Sequence, residues 1–254
     1  MRGYFIYMSI VRAKSYGRCG NALFQLGCAI AYSLKHNLEF SVPTYTENPF
    51  WNPLYFPELT NPKWIEGRQD IVLTENGHQY QELEFREEWR GLQIVLDGYW
   101  QSWKYLEPYR DEILYLFGLP YKKKENYVSV HIRRGDYLEL RMKHPEVTNQ
   151  WYEEQMAKFP GYRLKFFSDD IKYCRETFGH REDCEFSTNT SELEDLIEAA
   201  TCEHNICSAS TFSFWIAWLN RNENKTCIFP KLWFVEGWNN CETKDILHPN
   251  WLKV

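Results

Sequence analysis

The sequence predicts an α/β protein made of two Rossmann-like lobes with a cleft between them. From residue 127 to residue 229, short apolar strands alternate with amphipathic helices, a pattern typical of a parallel sheet covered by helices. A less regular version of the same alternation fills the first half of the chain. Between the halves, residues 118–126 have the glycine, proline and lysine content of a linker. We therefore place an N-terminal lobe at 1–120 and a C-terminal lobe at 121–254.

The elements of the first lobe follow from apolar periodicity and turn residues. Leucine and isoleucine recur at helical spacing after a glycine-rich turn at 17–21, and Pro108 suits the first turn of a later helix. Five prolines between 43 and 62 predict an ordered surface segment without regular structure. The predicted elements are strands at 4–11, 38–42 and 94–96 and helices at 23–34 and 108–117.

The second lobe has clearer boundaries. Ser191 and Glu194 form a capping-box pattern that starts a helix, and Gly179 is expected to end the preceding helix in the usual C′ place. The predicted strands lie at 127–132, 163–167, 184–186, 205–208 and 226–229. The predicted helices lie at 150–159, 171–178, 191–200 and 211–220.

Composition excludes several classes of protein. Lys and Arg number 29 and Asp and Glu number 35, so the net charge is −6, and a surface of that sign repels a phosphate backbone. We therefore expect no nucleic-acid partner, and any anionic ligand must meet a local basic cluster. The apolar stretches at 4–11 and 212–219 are far below the roughly 18 residues of a membrane span, and the first lacks a signal-peptide cleavage site. A soluble, cytoplasmic protein is expected.

Eight cysteines occur without a CxxC pair. They could form up to four disulfides in a secreted protein, but without an export signal reduced thiols are favoured. The sequons at Asn189 and Asn224 would then stay unmodified. Cys202 and Cys207 lack companions at zinc-site spacing, so no structural metal is expected.

The segment His131 to Tyr137 is the main candidate site, because it directly follows a predicted buried strand. Ligands of open α/β sheets bind beyond the carboxyl ends of the strands. Arg133 and Arg134 could donate bidentate hydrogen bonds to a phosphate or pyrophosphate there, and Gly135 permits a tight turn. The alternative is a surface arginine pair neutralised by Asp136. An Arg-Gly-Asp adhesion tripeptide would need a secreted protein.

Three other segments are weaker candidates. The turn at 17–21 and the segment 208–211 each lie between a strand and a helix, where backbone N–H groups attract anions, although the serines of the latter are equally typical of helix caps. Asp169 and Asp170 could bind a metal or cap a helix, and the cap is favoured. The sequence lacks a nucleophile elbow, a Walker loop, the H-E-x-x-H motif and the protein-kinase motifs.

Together these segments resemble the inverting fucosyltransferases of glycosyltransferase family eleven, which include the galactoside α-1,2-fucosyltransferases. HIRRGDY at 131–137 is the most specific part of the resemblance. The other similar segments lie at 17–34, 97–108, 166–170, 202–220, 229–234 and 245–251. The sequence departs from the family at Ala22, Ala209 and Phe214, where Gln, Asn and Trp are frequent. It also starts at the first strand, as microbial or viral members do, whereas animal members carry a Golgi anchor.

The resemblance implies a GT-B fold in which the second lobe binds GDP-L-fucose without a metal or other cofactor. The first lobe is implied to be the acceptor side, and the acceptor a terminal galactose that reacts through its O2 hydroxyl. An arginine is implied to contact the β-phosphate. The residues implied to bind the donor are His131, Arg133, Arg134, Asp195 (at the guanine edge), Ser210, Thr211, Asn21 and Gly20.

The chemistry of such a transfer assigns further expectations. Arg133 is expected to be catalytic because, without a metal, a fixed guanidinium must meet the charge that develops on the leaving phosphate. Asp136 is either the base that accepts the acceptor's proton or a group that orients the arginines. Trp51, Trp100 and Trp103 are candidates for acceptor-side sugar platforms. A transferase of another donor or linkage, or a non-catalytic nucleotide- or carbohydrate-binding module, are the alternatives.

Overall fold

A computed structural model describes residues 8–42, 68–238 and 242–254. The chain divides into two compact units, one formed by residues up to Leu119 together with Glu242–Leu247, the other by Pro120 onward together with His248–Val254. The sequence prediction drew its boundary at 120/121 and assigned all of 121–254 to the second lobe. Residues 242–247 instead belong to the first unit. Asp245 explains why, because it forms an ion pair with Lys104 at 2.6 Å and accepts a hydrogen bond from the Tyr80 N–H at 3.2 Å.

The first unit contains a four-stranded parallel sheet in the order β2-β1-β4-β3. Its core is built by α1 against β1 and β4, where Val11, Phe24 and Ile94 are fully buried. Its strands are β1 (Ile10–Ala13), β2 (Glu39–Phe40), β3 (Ile71–Thr74) and β4 (Gln93–Asp97). Its helices are α1 (Cys19–His36), α2 (Trp103–Leu106) and α3 (Arg110–Phe117).

These elements differ from the sequence prediction in several bounds: α1 begins at Cys19 and β2 is limited to Glu39–Phe40, while α2 and β3 were not predicted. The first strand begins at Ile10 rather than residue 4, and residues 4–7 lie outside the described residues. Strand β3 was not predicted, because it is a four-residue edge strand whose side chains alternate between half-buried and exposed. So short an alternation in a polar context is indistinguishable from a loop by periodicity alone.

The second unit contains a six-stranded parallel sheet in the order β10-β9-β8-β5-β6-β7. Its strands are β5 (Lys124–Ile132), β6 (Arg163–Ser168), β7 (Cys184–Phe186), β8 (Cys202–Ile206), β9 (Cys227–Phe229) and β10 (Leu252–Lys253). Its helices are α4 (Asn149–Met156), α5 (Ile171–Phe178), α6 (Glu192–Thr201) and α7 (Thr211–Leu219). The predicted α/β class is confirmed.

Most local predictions for this unit hold within a few residues, but β5 begins inside the predicted linker, β8 begins at Cys202 and β10 was not predicted. The bounds of α5 and β7 are as predicted, and α6 starts at a complete Ser191–Glu194 capping box. Strand β8 ends before Ser208, because the Ser208 N–H donates to the Ser213 hydroxyl at 2.9 Å instead of to a neighbouring strand. Gly179 ends α5 in a right-handed conformation (φ −66°), not in the left-handed one expected of a C′ glycine.

In each sheet, successive strands lie first on one side of the starting strand and then on the other. The pair of strands where the order changes side is called the reversal point here. In the second unit the chain runs outward from β5 to β6 and β7, then crosses to β8 on the other side of β5. In the first unit it runs from β1 to β2, and β4 and β3 lie on the other side of β1. Ligands of open parallel sheets bind at the carboxyl ends of such strand pairs. The two positions to inspect are therefore β5/β8 and β1/β4.

Across the described residues, the structure contains no helix with the length and apolar composition required to cross a membrane.

Candidate active site

The loop that follows β5 lies at the β5/β8 reversal point. Strand β5 ends at Ile132, the two arginines come next, and Gly135–Leu138 forms one turn of 3-10 helix. A pocket opens beside this loop. The residues that line it come from the loop itself, the segment after it, α5 and the segment that follows β8. They include Arg133, Arg134, Tyr137, Arg141, Tyr173 and Ser208.

Arg133 is held by two carboxylates. One of its terminal nitrogens donates to Asp169 Oδ2 at 2.5 Å, and the other donates to Asp136 Oδ1. Its side chain is 12% exposed, so its geometry is fixed by the protein rather than by solvent. A guanidinium has five N–H donors, and these two bonds leave three for a ligand.

Arg134 is fixed by different partners. Its backbone N–H donates to Asp169 Oδ1 at 2.9 Å, and its Nε donates to Asp170 Oδ2 at 3.4 Å. Its guanidinium carbon lies 3.5 Å from the ring centroid of Tyr173, a cation–π contact that also lines the pocket. The side chain therefore presents one face to the aromatic ring and keeps its edge for hydrogen bonding.

The two aspartates after β6 have separate functions. Asp170 caps α5 by accepting from the Tyr173 N–H at 3.1 Å, as the sequence analysis favoured. Asp169 instead binds both arginines, a function that the sequence did not reveal because Asp169 lies 36 residues from Arg133. Among the residues described, no group of three or more His, Cys, Asp or Glu side chains is arranged to hold a metal ion.

Gly135 is required by this arrangement. A Cβ at that position would lie 2.3 Å from Asp169 Oδ2, closer than real atoms approach, so any side chain would displace the carboxylate. The group carries one net negative charge, since two arginines face Asp136, Asp169 and Asp170. An anion at this site would therefore be bound by directed N–H donors and not by a net positive charge.

His131 lies beneath the arginines rather than in the pocket. It is 5% exposed, and its Nδ1 lies 2.6 Å from the Ser213 hydroxyl and 3.1 Å from the Ser208 hydroxyl. Burial, and to a smaller extent the charge of Arg133, lowers the pKa of His131 to about 3, so the ring is neutral near pH 7. The side chain joins the end of β5 to the start of α7 and is placed to position the arginine loop rather than to contact a ligand.

Ser210 is the N-cap of α7 and accepts from the Ser213 N–H at 3.2 Å, while Thr211 is the first residue of that helix. The hydroxyl of Ser210 is buried, so the capping explanation given in the sequence analysis accounts for this residue. The N-terminus of α7 follows β8, at the same reversal point as the arginines.

Tyr137 and His144 form a wall of the pocket that the sequence analysis did not predict. Their rings stack with centroids 3.9 Å apart, and the Tyr137 hydroxyl donates to the Ala209 carbonyl at 3.4 Å. Burial raises the pKa of Tyr137 to about 12 and lowers the pKa of His144 to about 4. Tyr137 belongs to the HIRRGDY segment and could have been suspected from it, whereas His144 stands in no recognisable pattern.

Asp195 is not among the residues that line the arginine pocket. It lies in the first turn of α6, after β7, where it accepts from the Ser187 hydroxyl at 2.5 Å and the Asn189 amide at 3.0 Å. Burial raises its pKa. A separate shallow groove beside it is lined in part by Tyr121, Lys165 and Asn189.

Gly20 and Asn21 belong to the first unit. The turn before α1 is shorter than predicted: Gly17 is left-handed (φ 69°), Arg18 is the N-cap, and both Gly20 and Asn21 are already helical. The side-chain Oδ1 of Asn21 accepts a hydrogen bond from the side-chain amide of Gln101 at 3.0 Å.

Of the three predicted tryptophan platforms, the one at Trp100 is wrong. Trp100 is fully buried and cannot present its face to a sugar, because it packs into the core against Tyr105. Trp103 is half-buried at the start of α2, and Trp51 lies outside the described residues.

Comparison with known proteins gives a family, relatives and a fold. The family described as "Glycosyl transferase family 11" matches residues 97–254. The O-antigen biosynthesis glycosyltransferase WbnK of Escherichia coli is 31% identical over 167 residues, which span 55% of this chain and 55% of that protein. The alpha-1,2-colitosyltransferase of Escherichia coli is 24% identical over 89% of this chain and 93% of its own length.

Two further similarities are informative. The galactoside alpha-(1,2)-fucosyltransferase 2 of Bos taurus is 26% identical over 82% of this chain and 68% of its own length. Among solved structures, POFUT1 in complex with GDP-fucose superposes with a TM-score of 0.54 at 11% identity, covering 90% of this chain and 99% of that chain. At that identity the similarity concerns the fold alone, and it confirms the predicted GT-B type.

Proposed function

The chain belongs to glycosyl transferase family 11, and from that premise we propose that it is an inverting fucosyltransferase. The proposed reaction moves L-fucose from GDP-L-fucose to the O2 hydroxyl of a terminal galactose, forming an α-1,2 linkage. The names of the bovine relative and of the colitosyltransferase, both α-1,2 enzymes, support this linkage. No metal or other cofactor takes part in the proposed reaction.

The observation that carries the proposal is the pair of arginines fixed at the β5/β8 reversal point. Cleavage of the bond between fucose and GDP leaves negative charge on the β-phosphate oxygen. Arg133, already oriented by Asp136 and Asp169, has N–H donors remaining for that oxygen. A preorganised donor aimed at a developing anion stabilises a transition state by roughly 3–4 kcal/mol. Arg133 is thus the proposed catalytic residue, with Arg134 as a second phosphate ligand.

Asp136 has the function of orienting Arg133 in this proposal. Its carboxylate is already bound to that guanidinium and its side chain is 48% exposed, features that suit a group that orients the arginine. An oxocarbenium-like sugar centre can react with a nearly neutral hydroxyl, so the reaction does not require a strong base.

The remaining donor contacts are assigned by chemistry. The N-terminus of α7, with Ser210 as cap and Thr211 as first residue, supplies backbone N–H groups for a phosphate. His131 positions the arginine loop from below. Asp195 would accept the N–H groups of guanine in place of its present Ser187 and Asn189 partners.

A second donor has a specific observation in its favour. One relative that matches over most of both chains is an α-1,2-colitosyltransferase, so GDP-colitose is the alternative to GDP-L-fucose. The arginine chemistry is the same for both donors, because the leaving group is GDP in each case.

A coupled assay tests the proposal. The chain is incubated with GDP-L-fucose, GDP-colitose and a panel of other GDP- and UDP-sugars, with lactose as acceptor, and GDP release is followed with and without EDTA. We expect GDP release from GDP-L-fucose in the presence of EDTA, and NMR of the product should show an α-1,2 linkage. Absolute dependence on added Mn²⁺ would contradict the arginine mechanism. GDP binding without turnover would indicate a binding module instead.

A further inference from the structure

A second group of exposed polar and aromatic side chains lies at the reversal point of the first sheet, β1/β4. Lys14 directly follows β1, and Asp97 is the last residue of β4. The two strand ends are joined there by a hydrogen bond from the Lys14 N–H to the Leu96 carbonyl at 2.9 Å. The group therefore occupies in the first unit the position that the arginines occupy in the second.

The centre of this group is an ionised carboxylate. Asp97 accepts from the Lys14 ammonium at 2.6 Å and from the Tyr16 hydroxyl at 2.7 Å. The bond from Lys14 is the main cause of a lowered pKa for Asp97, so the side chain is charged at neutral pH. A carboxylate has about four acceptor positions, so two remain for another donor. The side chain is 26% exposed and can be reached by a ligand.

Two tyrosine rings flank this carboxylate. Tyr16 and Tyr99 are 37% and 39% exposed, and their centroids lie 6.0 Å apart with the rings inclined at 55°. Tyr16 is held in place by the bond from its backbone N–H to the Gln25 side chain at 2.9 Å. Large aromatic rings left exposed beside hydrogen-bonding groups are suited to bind ligands that are apolar on one face and polar at the edge.

The loop that presents Tyr99 is anchored by a carboxylate. Glu75 accepts hydrogen bonds from the Tyr99 N–H at 2.6 Å and the Trp100 N–H at 2.9 Å. Trp100, which is fully buried, adopts a left-handed backbone conformation (φ 54°) that a side chain of its size rarely takes. Such strained residues persist where the surrounding structure fixes them, and they occur frequently at ligand-binding loops.

The charge of the group selects the class of ligand. Lys14 and Asp97 neutralise one another, so a phosphate at this position would meet a carboxylate and an ammonium that is already paired. A sugar ring matches the group better, since its C–H face packs on tyrosine and its vicinal hydroxyls donate to a carboxylate. We propose that Tyr16, Asp97 and Tyr99 bind a neutral hexose of the acceptor, an inference that rests on the proposed transferase function.

The proposal is tested by substitution of Tyr99 with lactose as acceptor. Tyr99→Ala removes the ring face and should raise the KM for lactose at least about tenfold, while Tyr99→Phe keeps the face and should stay within about threefold of wild type. The slow release of GDP from GDP-L-fucose without acceptor reports on the donor site alone, and its rate should be unchanged in both variants. Tyr115→Ala is the matched control, because Tyr115 is an 80% exposed tyrosine of the same unit. An unchanged KM in Tyr99→Ala, or an equal rise in Tyr115→Ala, would overturn the proposal.

A binding measurement separates this inference from the proposed function. Saturation-transfer NMR detects lactose on the chain whether or not fucose is transferred. We expect a signal for wild type and for Tyr115→Ala, and its loss in Tyr99→Ala and in Asp97→Asn. If transfer fails but this pattern holds, the sugar site stands and the transferase assignment fails. If wild type shows no lactose signal, or if Tyr99→Ala retains it, the sugar site is refuted.

Discussion

The carboxyl edges of the two sheets use the same backbone arrangement for different side chains. In the second unit Asp169, from the end of the neighbouring strand, accepts the backbone N–H of Arg134. In the first unit Glu75, also from the end of a neighbouring strand, accepts the N–H groups of Tyr99 and Trp100. One loop presents two arginines and the other presents a tyrosine beside an ionised aspartate. The arrangement fixes the loop, and the side chains decide whether it suits a phosphate or a neutral sugar.

A glycine makes this arrangement possible at both edges. A Cβ on Gly135 would lie 2.3 Å from Asp169 Oδ2, and a Cβ on Gly98 would lie 2.3 Å from the Cβ of Glu75. In each case the missing side chain lets the carboxylate reach the loop backbone. Glycine is therefore needed at both positions because it leaves room for the neighbouring acidic side chain, and not because the backbone adopts an unusual φ angle.

The largest expected effect concerns the arginine edge. Arg133→Ala removes the donor aimed at the leaving phosphate, and we expect kcat to fall about a hundredfold or more. Arg133→Lys should also be poor, because an ammonium lacks the fork geometry of a guanidinium. The measurement is steady-state GDP release with saturating lactose.

Arg163→Ala is the matched control, since Arg163 starts β6 at the opposite end of the sheet and forms its own ion pair with Glu185 at 2.8 Å. It should keep kcat within about twofold of wild type. Turnover near wild type in Arg133→Ala would exclude Arg133 from catalysis and would remove the main contrast between the two edges.

Substitution of the glycine at each edge should have an intermediate effect, and the affected KM should differ between the two edges. Gly135→Ala and Gly98→Ala each force a methyl group against a fixed side chain, and each should lower the free energy of unfolding by about 1–3 kcal/mol. Gly135→Ala should mainly raise the KM for GDP-L-fucose, and Gly98→Ala should mainly raise the KM for lactose. Urea unfolding and paired KM measurements test this.

Gly161→Ala controls for the loss of a glycine as such, because nothing lies within 4 Å of the position a Cβ would take there, although its φ of 83° adds backbone strain. It should alter stability without changing either KM. If both edge variants change the same KM, the assignment of one ligand to each edge is wrong.

The effect that is smallest near neutral pH is a difference in the pH dependence of stability. The pKa of His131 is about 3 in the folded chain and roughly 6.5 when unfolded, so below about pH 6 the unfolded state binds more protons and stability falls. This group alone predicts a loss of about 1.4 kcal/mol per pH unit in that range. The lowered pKa of Asp97 acts differently: its stabilising effect is present above the unfolded value near ~3.9 and is lost only as pH falls through the lower folded value.

Urea unfolding at about pH 7 and about pH 5 measures this slope. His131→Asn, which keeps a hydrogen-bonding group near Ser213, should reduce the slope, and substitution of the exposed His180 by Asn should leave it unchanged. Equal slopes in wild type and His131→Asn would contradict the buried neutral state of His131.

Local pattern was sufficient for most of the second unit. The helix at 171–178, the strand at 184–186 and the Ser191–Glu194 capping box depend on neighbours within one turn, and they lie where the sequence predicted them. Strand β3 and the assignment of residues 242–247 depend on partners far along the chain, Leu96 and Lys104 among them. Periodicity carries no information about such partners.

The sequence by itself determined the α/β class, the family and the segment that carries the two arginines, because each depends on short local patterns of residues along the chain. Only the tertiary structure decided what those residues meet. In the folded chain Asp169 binds Arg133, and Tyr16 donates a hydrogen bond to Asp97. His131 is buried beneath the arginine loop, and Trp100 is buried in the core. The physical reason is that a parallel sheet joins strand ends that lie tens of residues apart, and hydrogen-bond geometry there depends on ångström distances that spacing along a chain does not encode.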